Sequence, residues 1–217
     1  MQQQSARKLE ILHTGRIDYA ASVLLQQELV GQRLAGAIID RLLIVEHPAT
    51  VTLGRRGQET DLLFPETHLQ QHNIAVHQSN RGGQATAHEP GQLVVYPILE
   101  LQERDLHLYS QRLLETISIV LRQYNLDPHL KEGQPGVWVA GRKIASIGVA
   151  VRKWVTSHGI ALNVNNDLST FEMIVPCGHA DETLTSMVEQ LGRPVELAEV
   201  EAKFLAAFLD VFDYSDL

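Results

Sequence analysis

One short run carries most of the side chains that could do chemistry in this 217-residue chain. Residues 81–97, with the sequence RGGQATAHEPGQLVVYP, combine a guanidinium (Arg81), an imidazole (His88), two carboxamides and three glycines. Glycine lets the backbone approach a ligand because it has no Cβ, and a polar loop that leads into a buried strand is a common support for a binding site. The run therefore fits a substrate-binding loop, and it also fits an ordinary turn before a strand.

The second candidate is the single cysteine, Cys177, which lies between Pro176 and Gly178. Proline fixes φ and glycine permits a sharp turn, so this setting could present a thiol on a rigid loop. A nucleophilic cysteine needs its thiolate, and a nearby cation lowers the thiol pKa from its free value of about 8.5. A lone cysteine is also common as an inert buried side chain, so the residue type leaves both interpretations open.

The overall composition is typical of a globular protein, with 44% hydrophobic and 20% charged residues. No apolar stretch is long enough for a membrane span, and the first residues lack the apolar segment of a secretory signal. The net charge of -8 argues against general binding of nucleic acid. One cysteine fits a reducing compartment, so we expect a cytoplasmic location without membrane contact.

The charges are unevenly distributed along the chain. Residues 131–153 hold five bases and one acid, whereas residues 165–217 hold eleven acids and two bases. A basic centre in an acidic protein suits an acidic partner at one site. The bases expected to recruit such a partner are Arg55, Arg56, Arg142, Arg152 and Lys153.

Periodicity predicts a series of strands and helices. Buried-strand patterns occur at residues 9–12, 42–45, 50–53 and 93–96, and residues 54–57 form a basic turn. The range 136–164 is dense in β-branched residues and glycine, which indicates three strands with tight turns. Helical periodicity marks residues 106–124, about 195–212, and 19–34 with Tyr19, Val23, Val30 and Leu34 on one face.

These elements predict an α/β (α+β) fold with a mixed central sheet flanked by helices. No repeat, low-complexity tract or linker divides the sequence. Residues 1–217 are therefore expected to form a single domain. His68 and His72 share a helix face, but Leu69 stands where zinc proteases have their glutamate, so we interpret them as a solvated pair and predict no metal site.

Several ordered motifs together resemble the octanoyltransferases of lipoate biosynthesis. The first is the run at residues 81–97. The second joins GRKIASIG at 141–148 with WVTSHGIALN at 154–163, and the third joins PCG at 176–178 with LTSM at 184–187. A weaker match at residues 46–57 contains EHP and TLGRRG. The resemblance spans about residues 19–187 and implies a biotin/lipoate protein ligase-like fold in a single catalytic domain.

The resemblance also implies a reaction and the residues that carry it out. In that family an octanoyl group moves from acyl carrier protein to a lysine of a lipoyl domain through an acyl-thioester on a cysteine. By position, the nucleophile is Cys177 and its partner is Lys143. The family's substrate site corresponds to Arg81, Gly82, Gly83, Gln84, Ala85, Thr86, Ala87 and His88, to Ser146, Ile147 and Gly148, and to Gly159, Ile160 and Ala161.

The implied partners are acyl carrier protein and the lipoyl domains of 2-oxoacid dehydrogenase complexes and of the glycine cleavage H protein. No cofactor is expected, because the substrate carries its own phosphopantetheine. Three residues depart from the family pattern: Ala87 replaces an aromatic residue, Glu89 a glycine, and His179 an aliphatic residue. These departures bear on acyl-chain preference and rate rather than on the nucleophile.

Three other functions stay open on the sequence. An ATP-dependent lipoate or biotin ligase would share the fold, and the acidic Glu89 after the loop histidine favours it, although such ligases need no nucleophilic cysteine. A non-catalytic carrier-protein binder would have no need of both Lys143 and Cys177. A cysteine hydrolase could use Cys177 with a histidine such as His88.

Overall fold

The computed structural model describes residues 7–176 and 182–215. In chain order these residues form β1 (Leu9–Arg16), α1 (Tyr19–Leu34), β2 (Asp40–Glu46), β3 (Thr50–Leu53), α2 (Glu66–Gln71), β4 (Ala75–Gln78), β5 (Ala85–His88), β6 (Gln92–Ile98), α3 (Leu106–Arg122), β7 (Pro128–Lys131), β8 (Gln134–Val139), β9 (Arg142–Arg152), β10 (Val155–Asn163), α4 (Met187–Leu191) and α5 (Leu197–Val211). Two short 3-10 helices, Glu59–Asp61 and Ser169–Met173, lie in the connections.

The strands form two mixed sheets rather than the one central sheet that the sequence predicts. The large sheet has seven strands in the order β1-β2-β6-β10-β9-β8-β7. Its first two strands are parallel and the others are antiparallel. The small sheet has the order β4-β3-β5, with β4 parallel and β5 antiparallel to β3. The predicted strand at 50–53 therefore belongs to a separate three-stranded sheet.

The large sheet has helices on both faces, and β6 shows why. Successive side chains of a strand point to opposite faces. Leu93 and Val95 pack in one apolar cluster with residues of α3 and α5, whereas Val94 and Tyr96 pack in a second cluster with residues of α1. The apolar run is therefore buried on both faces, as its lack of alternation predicts.

The predicted elements are largely confirmed. Helix α1 has the predicted bounds, α3 ends two residues before the predicted 124, and the range 136–164 forms the three strands β8, β9 and β10. Asp105 caps α3 by accepting hydrogen bonds from the backbone N–H groups of His107 and Leu108. None of the helices in the described ranges is long and apolar enough to cross a membrane.

The buried face of α1 also carries polar residues. Val23 and Leu34 are half-buried, and the fully buried positions include Ser22 and Gln26. Each of these polar side chains makes one hydrogen bond in its buried position, while Gln26 Nε2 has no partner among the described residues. The Ser22 hydroxyl donates to the Tyr19 carbonyl, and Gln26 Oε1 accepts from the backbone N–H of His158. Gln26 thereby joins α1 to the strand that carries the second half of the candidate site.

Candidate active site

A cavity of about 300 Å³ lies between β5 of the small sheet and strands β9 and β10 of the large sheet. Its size falls at the lower end of the range for small-molecule sites. The predicted residues that line it are Arg81, Gly83, Gln84, Ala85, Thr86, His88, Lys143, Ser146, Ile147, Gly148, Gly159, Ile160 and Ala161. The fold therefore brings the first two motifs to one place, although residues 98–140 separate them in the sequence.

Two residues of the predicted set lie elsewhere. Gly82 donates its N–H to the Val149 carbonyl, which ties the glycine loop to β9 at 2.8 Å. Ala87 is fully buried in the apolar cluster under the small sheet. Cys177, with Gly178 and His179, lies outside the described residues.

The guanidinium of Arg81 organises the glycine loop. Its Nη2 donates to the carbonyl oxygens of Thr52 and Gln84 at 2.6 and 2.7 Å and to the Thr52 hydroxyl at 2.8 Å. Its Nη1 donates to the Gly82 carbonyl at 2.9 Å. These bonds fix the loop to β3, and the arginine also places a positive charge in the cavity wall.

A neighbouring glycine allows this arginine to approach the large sheet. A Cβ on Gly148 would lie 3.0 Å from Arg81 Cδ and 3.1 Å from the Gly82 carbonyl oxygen. Real Cβ atoms rarely come that close to other atoms. The glycine in GRKIASIG therefore serves close packing of the loop against β9, in addition to lining the cavity.

The side chain of His88 is buried and held in one orientation. Its Nδ1–H donates to Gln92 Oε1 at 2.8 Å, and Gln92 Nε2 in turn donates to Asn163 Oδ1 at 2.9 Å. Burial lowers the pKa of His88 well below 6.5, and the nearby His47 and Arg81 lower it further. The imidazole is therefore neutral near pH 7, with its Nε2 as the hydrogen-bond acceptor.

Aromatic and imidazole rings that the sequence analysis did not select surround His88. Tyr19 stacks on His88 and on His158, with ring centroids 5.9 and 6.4 Å apart. The Tyr96 hydroxyl donates to His47 Nε2 at 2.8 Å, because His47 Nδ1–H is used by the Ile17 carbonyl. Burial raises the pKa of both tyrosines and lowers that of His47, so the cluster is neutral near pH 7.

His158 extends this cluster from β10. Burial, and then the charges of Arg81 and Arg55, lower the pKa of His158 to about 4. Its Nε2 lies 2.6 Å from Asn80 Oδ1, so this nitrogen donates the hydrogen bond. Tyr19, Tyr96 and His158 line the cavity, and so do Arg56 and the turn residues Gly133, Gln134 and Pro135. Tyr96 and His158 belong to the first and second motifs, whereas Tyr19 joins them only because α1 packs against the large sheet.

Lys143 lies in the cavity wall with only 1% of its surface exposed. Its backbone N–H donates to the Thr183 carbonyl at 2.8 Å, and its carbonyl accepts from the Thr185 N–H at 2.9 Å. Its Nζ lies 5.1 Å from the centroid of the Trp138 ring, which favours a cation over the ring face. The lysine of the second motif is thus joined directly to the LTSM segment of the third.

Comparisons with known proteins show the family to which the chain belongs. The lipoyl protein ligase A/B catalytic domain family matches residues 18–209. The octanoyltransferase of Solibacter usitatus (strain Ellin6076) is 45% identical to this chain over 205 residues, which cover 94% of this chain and 92% of that protein. The chain belongs to the octanoyltransferase family. The octanoyltransferase of Chloroflexus aggregans (strain MD-66 / DSM 9485) is also similar, with 42% identity over 212 residues, 95% of this chain and 96% of that protein.

The fold of this octanoyltransferase is that of the lipoate protein ligases. A bi-partite lipoate protein ligase from Thermoplasma acidophilum superposes with a TM-score of 0.77 at 18% identity, covering 98% of this chain and 86% of that one. The predicted fold class is therefore confirmed, and the family membership identifies the chain as an acyltransferase enzyme. At 18% identity the structural likeness carries the fold alone, so it gives no support to ligase activity here.

Glu89, the residue that favoured the ligase hypothesis, does not line the octanoyltransferase cavity. Its side chain is buried and accepts hydrogen bonds from Asn166 and from the backbone of the 168–170 segment. The acidic residue therefore has an explanation that does not involve nucleotide or metal binding.

The histidine pair His68 and His72 lies on and just after α2, away from the octanoyltransferase cavity. The two rings are 4.4 Å apart, and His72 Nδ1–H donates to the His68 carbonyl. Within residues 7–176 and 182–215, no group of three or more histidine, aspartate or glutamate side chains could hold a metal ion.

Proposed function

We propose that this octanoyltransferase moves an octanoyl group from the phosphopantetheine thioester of acyl carrier protein to the ε-amine of a lysine on a lipoyl domain, through a thioester on Cys177. The observation that carries the proposal is the placement of Lys143. A buried lysine faces a cavity of suitable size, and its backbone is hydrogen-bonded to residues 183 and 185, just beyond the cysteine in the sequence.

In the first step the Cys177 thiolate attacks the thioester carbon and expels the phosphopantetheine thiolate. The Lys143 ammonium favours the Cys177 thiolate by its charge and then gives a proton to the leaving sulfur. The enzyme now carries an octanoyl thioester on Cys177, and Lys143 is neutral. The carrier protein leaves with a free thiol.

In the second step the neutral amine of the acceptor lysine attacks the enzyme thioester. An amide bond forms, the Cys177 thiolate is released, and the amine proton passes to neutral Lys143. Both groups return to their starting forms, so the cycle balances without ATP. An acyl-adenylate made from ATP is unnecessary, because the octanoyl group of the donor is already activated as a thioester.

The acyl chain requires an apolar slot, and the backbone walls formed by β5, β9 and β10 support this use. Burial of about six methylenes at roughly 0.8 kcal/mol each would contribute on the order of 5 kcal/mol to binding. Ile147, Ile160 and Ala161 supply apolar surface to the cavity. Neutral His88, with its Nε2 as an acceptor, adds a polar group that could orient the thioester or the incoming amine.

The partners follow from the same proposal. Family membership supports protein substrates that undergo lipoylation, and we infer acyl carrier protein as donor and lipoyl domains of 2-oxoacid dehydrogenase complexes and of the glycine cleavage H protein as acceptors. We infer a cytoplasmic location and no bound cofactor, because the phosphopantetheine arrives on the donor.

Intact-mass measurement after incubation with octanoyl-acyl carrier protein tests the proposal. Wild type is expected to gain one octanoyl group, and Cys177→Ala is expected to gain none. The adduct should disappear when a lipoyl domain is added, with octanoylation of that domain. A requirement for ATP would instead support a ligase, and release of free octanoate without transfer to the domain would support a hydrolase.

A further inference from the structure

Glu89 makes an unusually complete set of hydrogen bonds for a carboxylate with 3% exposure. Its Oε2 accepts from Asn166 Nδ2 at 2.9 Å and from the Leu168 N–H at 3.1 Å, and its Oε1 accepts from the Thr170 N–H at 2.5 Å. A buried carboxylate needs such donors because burial removes its hydration. No lysine, arginine or histidine of the described ranges forms an ion pair with Glu89, so amide groups provide its stabilisation.

The donors all belong to the segment that leads to Cys177. Leu168 has a φ of 68°, in the left-handed region that a leucine rarely adopts. The 3-10 helix Ser169–Met173 follows directly. Such backbone persists only where surrounding contacts hold it. Glu89 supplies two of those contacts by accepting the N–H groups of Leu168 and Thr170.

From the end of this helix the chain has little freedom before the cysteine. The Val175 N–H donates to the Asp61 carbonyl at 2.7 Å, and Leu63 N–H donates to the Met173 carbonyl at 2.9 Å. Pro176, the last described residue of the segment, is buried. An anchor at residues 168–170 therefore acts on residues 171–176, which precede Cys177 in the sequence.

Glu89 also connects to the other two parts of the site through buried amides. Asn166 Nδ2 donates to Asn163 Oδ1, which also accepts from Gln92 Nε2. Gln92 Oε1 accepts from His88 Nδ1, as described above. This amide network thus runs from Glu89 to the ring of His88.

A second arm of the network reaches Lys143. Asn163 Nδ2 donates to the Thr185 carbonyl at 3.1 Å, and the Thr185 N–H donates to the Lys143 carbonyl at 2.9 Å. Buried networks of this kind hold side chains in one arrangement, although Asn166 Oδ1 has no hydrogen-bond partner in the part of the chain that the structure describes. The segment before Cys177, the His88 ring and the Lys143 strand are therefore joined through one set of buried hydrogen bonds.

We propose that Glu89 is a positioning residue for the acylation step, which holds residues 166–170 and links them through buried amides to the His88 ring and the Lys143 strand. It does not line the cavity and need not touch the substrate. A glycine at this position would remove all three hydrogen-bond contacts. A sequence that has glycine here therefore lacks this buried carboxylate and the backbone contacts that it makes. The inference rests on the proposed role of Cys177 as nucleophile.

The test compares Glu89→Ala with Glu89→Gln and wild type in single-turnover acylation by octanoyl-acyl carrier protein. A misplacement of about 1 Å can cost roughly 100-fold in rate. We therefore expect a loss of that order in the maximal acylation rate of Glu89→Ala, with little change in the concentration of octanoyl-acyl carrier protein that gives half of that rate. Glu89→Gln keeps one acceptor oxygen and should recover part of the rate. The rate of Cys177 alkylation by iodoacetamide, measured against pH, should have its inflection at a higher pH in Glu89→Ala than in wild type. The reason is that the Lys143 ammonium would stabilise the thiolate less well.

Asp40→Asn is the matched control for a merely structural effect. Asp40 is also a buried carboxylate, which accepts hydrogen bonds from Arg7, Arg33 and Tyr214. It does not line the cavity. This variant is expected to lower the melting temperature without moving the alkylation inflection or the acylation rate.

Equal loss of acylation in Asp40→Asn and Glu89→Ala would overturn the inference, and so would a Glu89→Ala rate equal to that of wild type. If Glu89→Ala fails to fold, the same two comparisons are made with Glu89→Gln. Absence of any adduct on wild-type Cys177 would overturn the proposed function, and the inference with it. An adduct that forms equally fast in all variants would overturn the inference alone.

Discussion

A Cβ atom on Gly136 would lie 2.5 Å from Cε of Lys143. It would also lie 2.8 Å from the Ala145 carbonyl oxygen, so the backbone could not relieve the contact easily. The buried lysine therefore occupies space that only a glycine on the adjacent strand β8 leaves open. This relationship gives a direct way to move Lys143 without changing its chemistry.

We expect Gly136→Ala to displace the Lys143 side chain and to lower octanoyl transfer by about 10- to 100-fold, since positioning errors of about 1 Å have effects of this size. The measurement is kcat for transfer from octanoyl-acyl carrier protein. Gly31→Ala is the matched control, because no atom lies within 4 Å of the added Cβ in helix α1. That change should leave kcat unaltered and stabilise the helix by up to about 1 kcal/mol. Unchanged transfer in Gly136→Ala would show that the lysine has room to move without loss of function.

Arg56 is an exposed base that lines the cavity. Its backbone N–H is bound to the Gly83 carbonyl, which places the side chain beside the glycine loop. Arg55 donates to the Asn80 carbonyl and Arg142 pairs with Glu189, so these two predicted docking residues also have contacts within the protein.

We therefore expect Arg56→Glu to raise the KM for octanoyl-acyl carrier protein about tenfold at low salt, since charges at the rim of an interface steer acidic partners. The KM for octanoyl-pantetheine, an uncharged donor, should change little. Raising the salt to 1 M should reduce the difference, because the Debye length falls from about 10 Å at 0.1 M to roughly 3 Å. Arg122→Glu, which changes an exposed base on α3 paired with Glu115, serves as the control. Equal increases in KM for both donors would assign Arg56 to the acyl site instead.

The lowered pKa of His158 predicts a loss of stability in acid. In the unfolded chain the imidazole has a pKa near 6.5, whereas burial lowers the pKa of His158 in the folded protein to about 4. The unfolded state therefore holds more protons between these values, and the free energy of unfolding falls as the pH drops from about 6.5 to about 4. The contribution of this one group is on the order of 3 kcal/mol.

His158→Asn should flatten this dependence. Asparagine tolerates the φ of 54° at this position better than most residues. Urea unfolding measured at several pH values between 4 and 7 would show a smaller slope for His158→Asn than for wild type, whereas His129→Asn, at an exposed position on β7, should keep the wild-type slope. Identical slopes in all three proteins would mean that His158 does not titrate as its burial indicates. Some dependence should remain in the variant, because His47 and His88 also have lowered pKa values.

Local patterns were sufficient for most of the secondary structure. Helix α1 begins and ends as predicted, because its periodicity and the flanking residues are local properties. Its buried face also includes Ser22 and Gln26, which the apolar pattern did not indicate, since burial of these side chains depends on hydrogen-bond partners, one of them on β10. The local sequence pattern also could not predict that residues 50–53 belong to a separate small sheet, because strand pairing is decided by residues distant in the sequence.

By itself the sequence determined the family, through several motifs in a fixed order, and with it the expected nucleophile Cys177 and partner Lys143. It also determined the apolar run of β6, whose burial on both faces follows from composition. Only the tertiary structure placed Tyr19, Tyr96 and His158 in the cavity wall and gave Glu89 its amide donors. The physical reason is that hydrogen bonds and burial act between neighbours in space, and the chain brings residue 19 next to residue 158, and residue 89 next to residue 168, only when it folds.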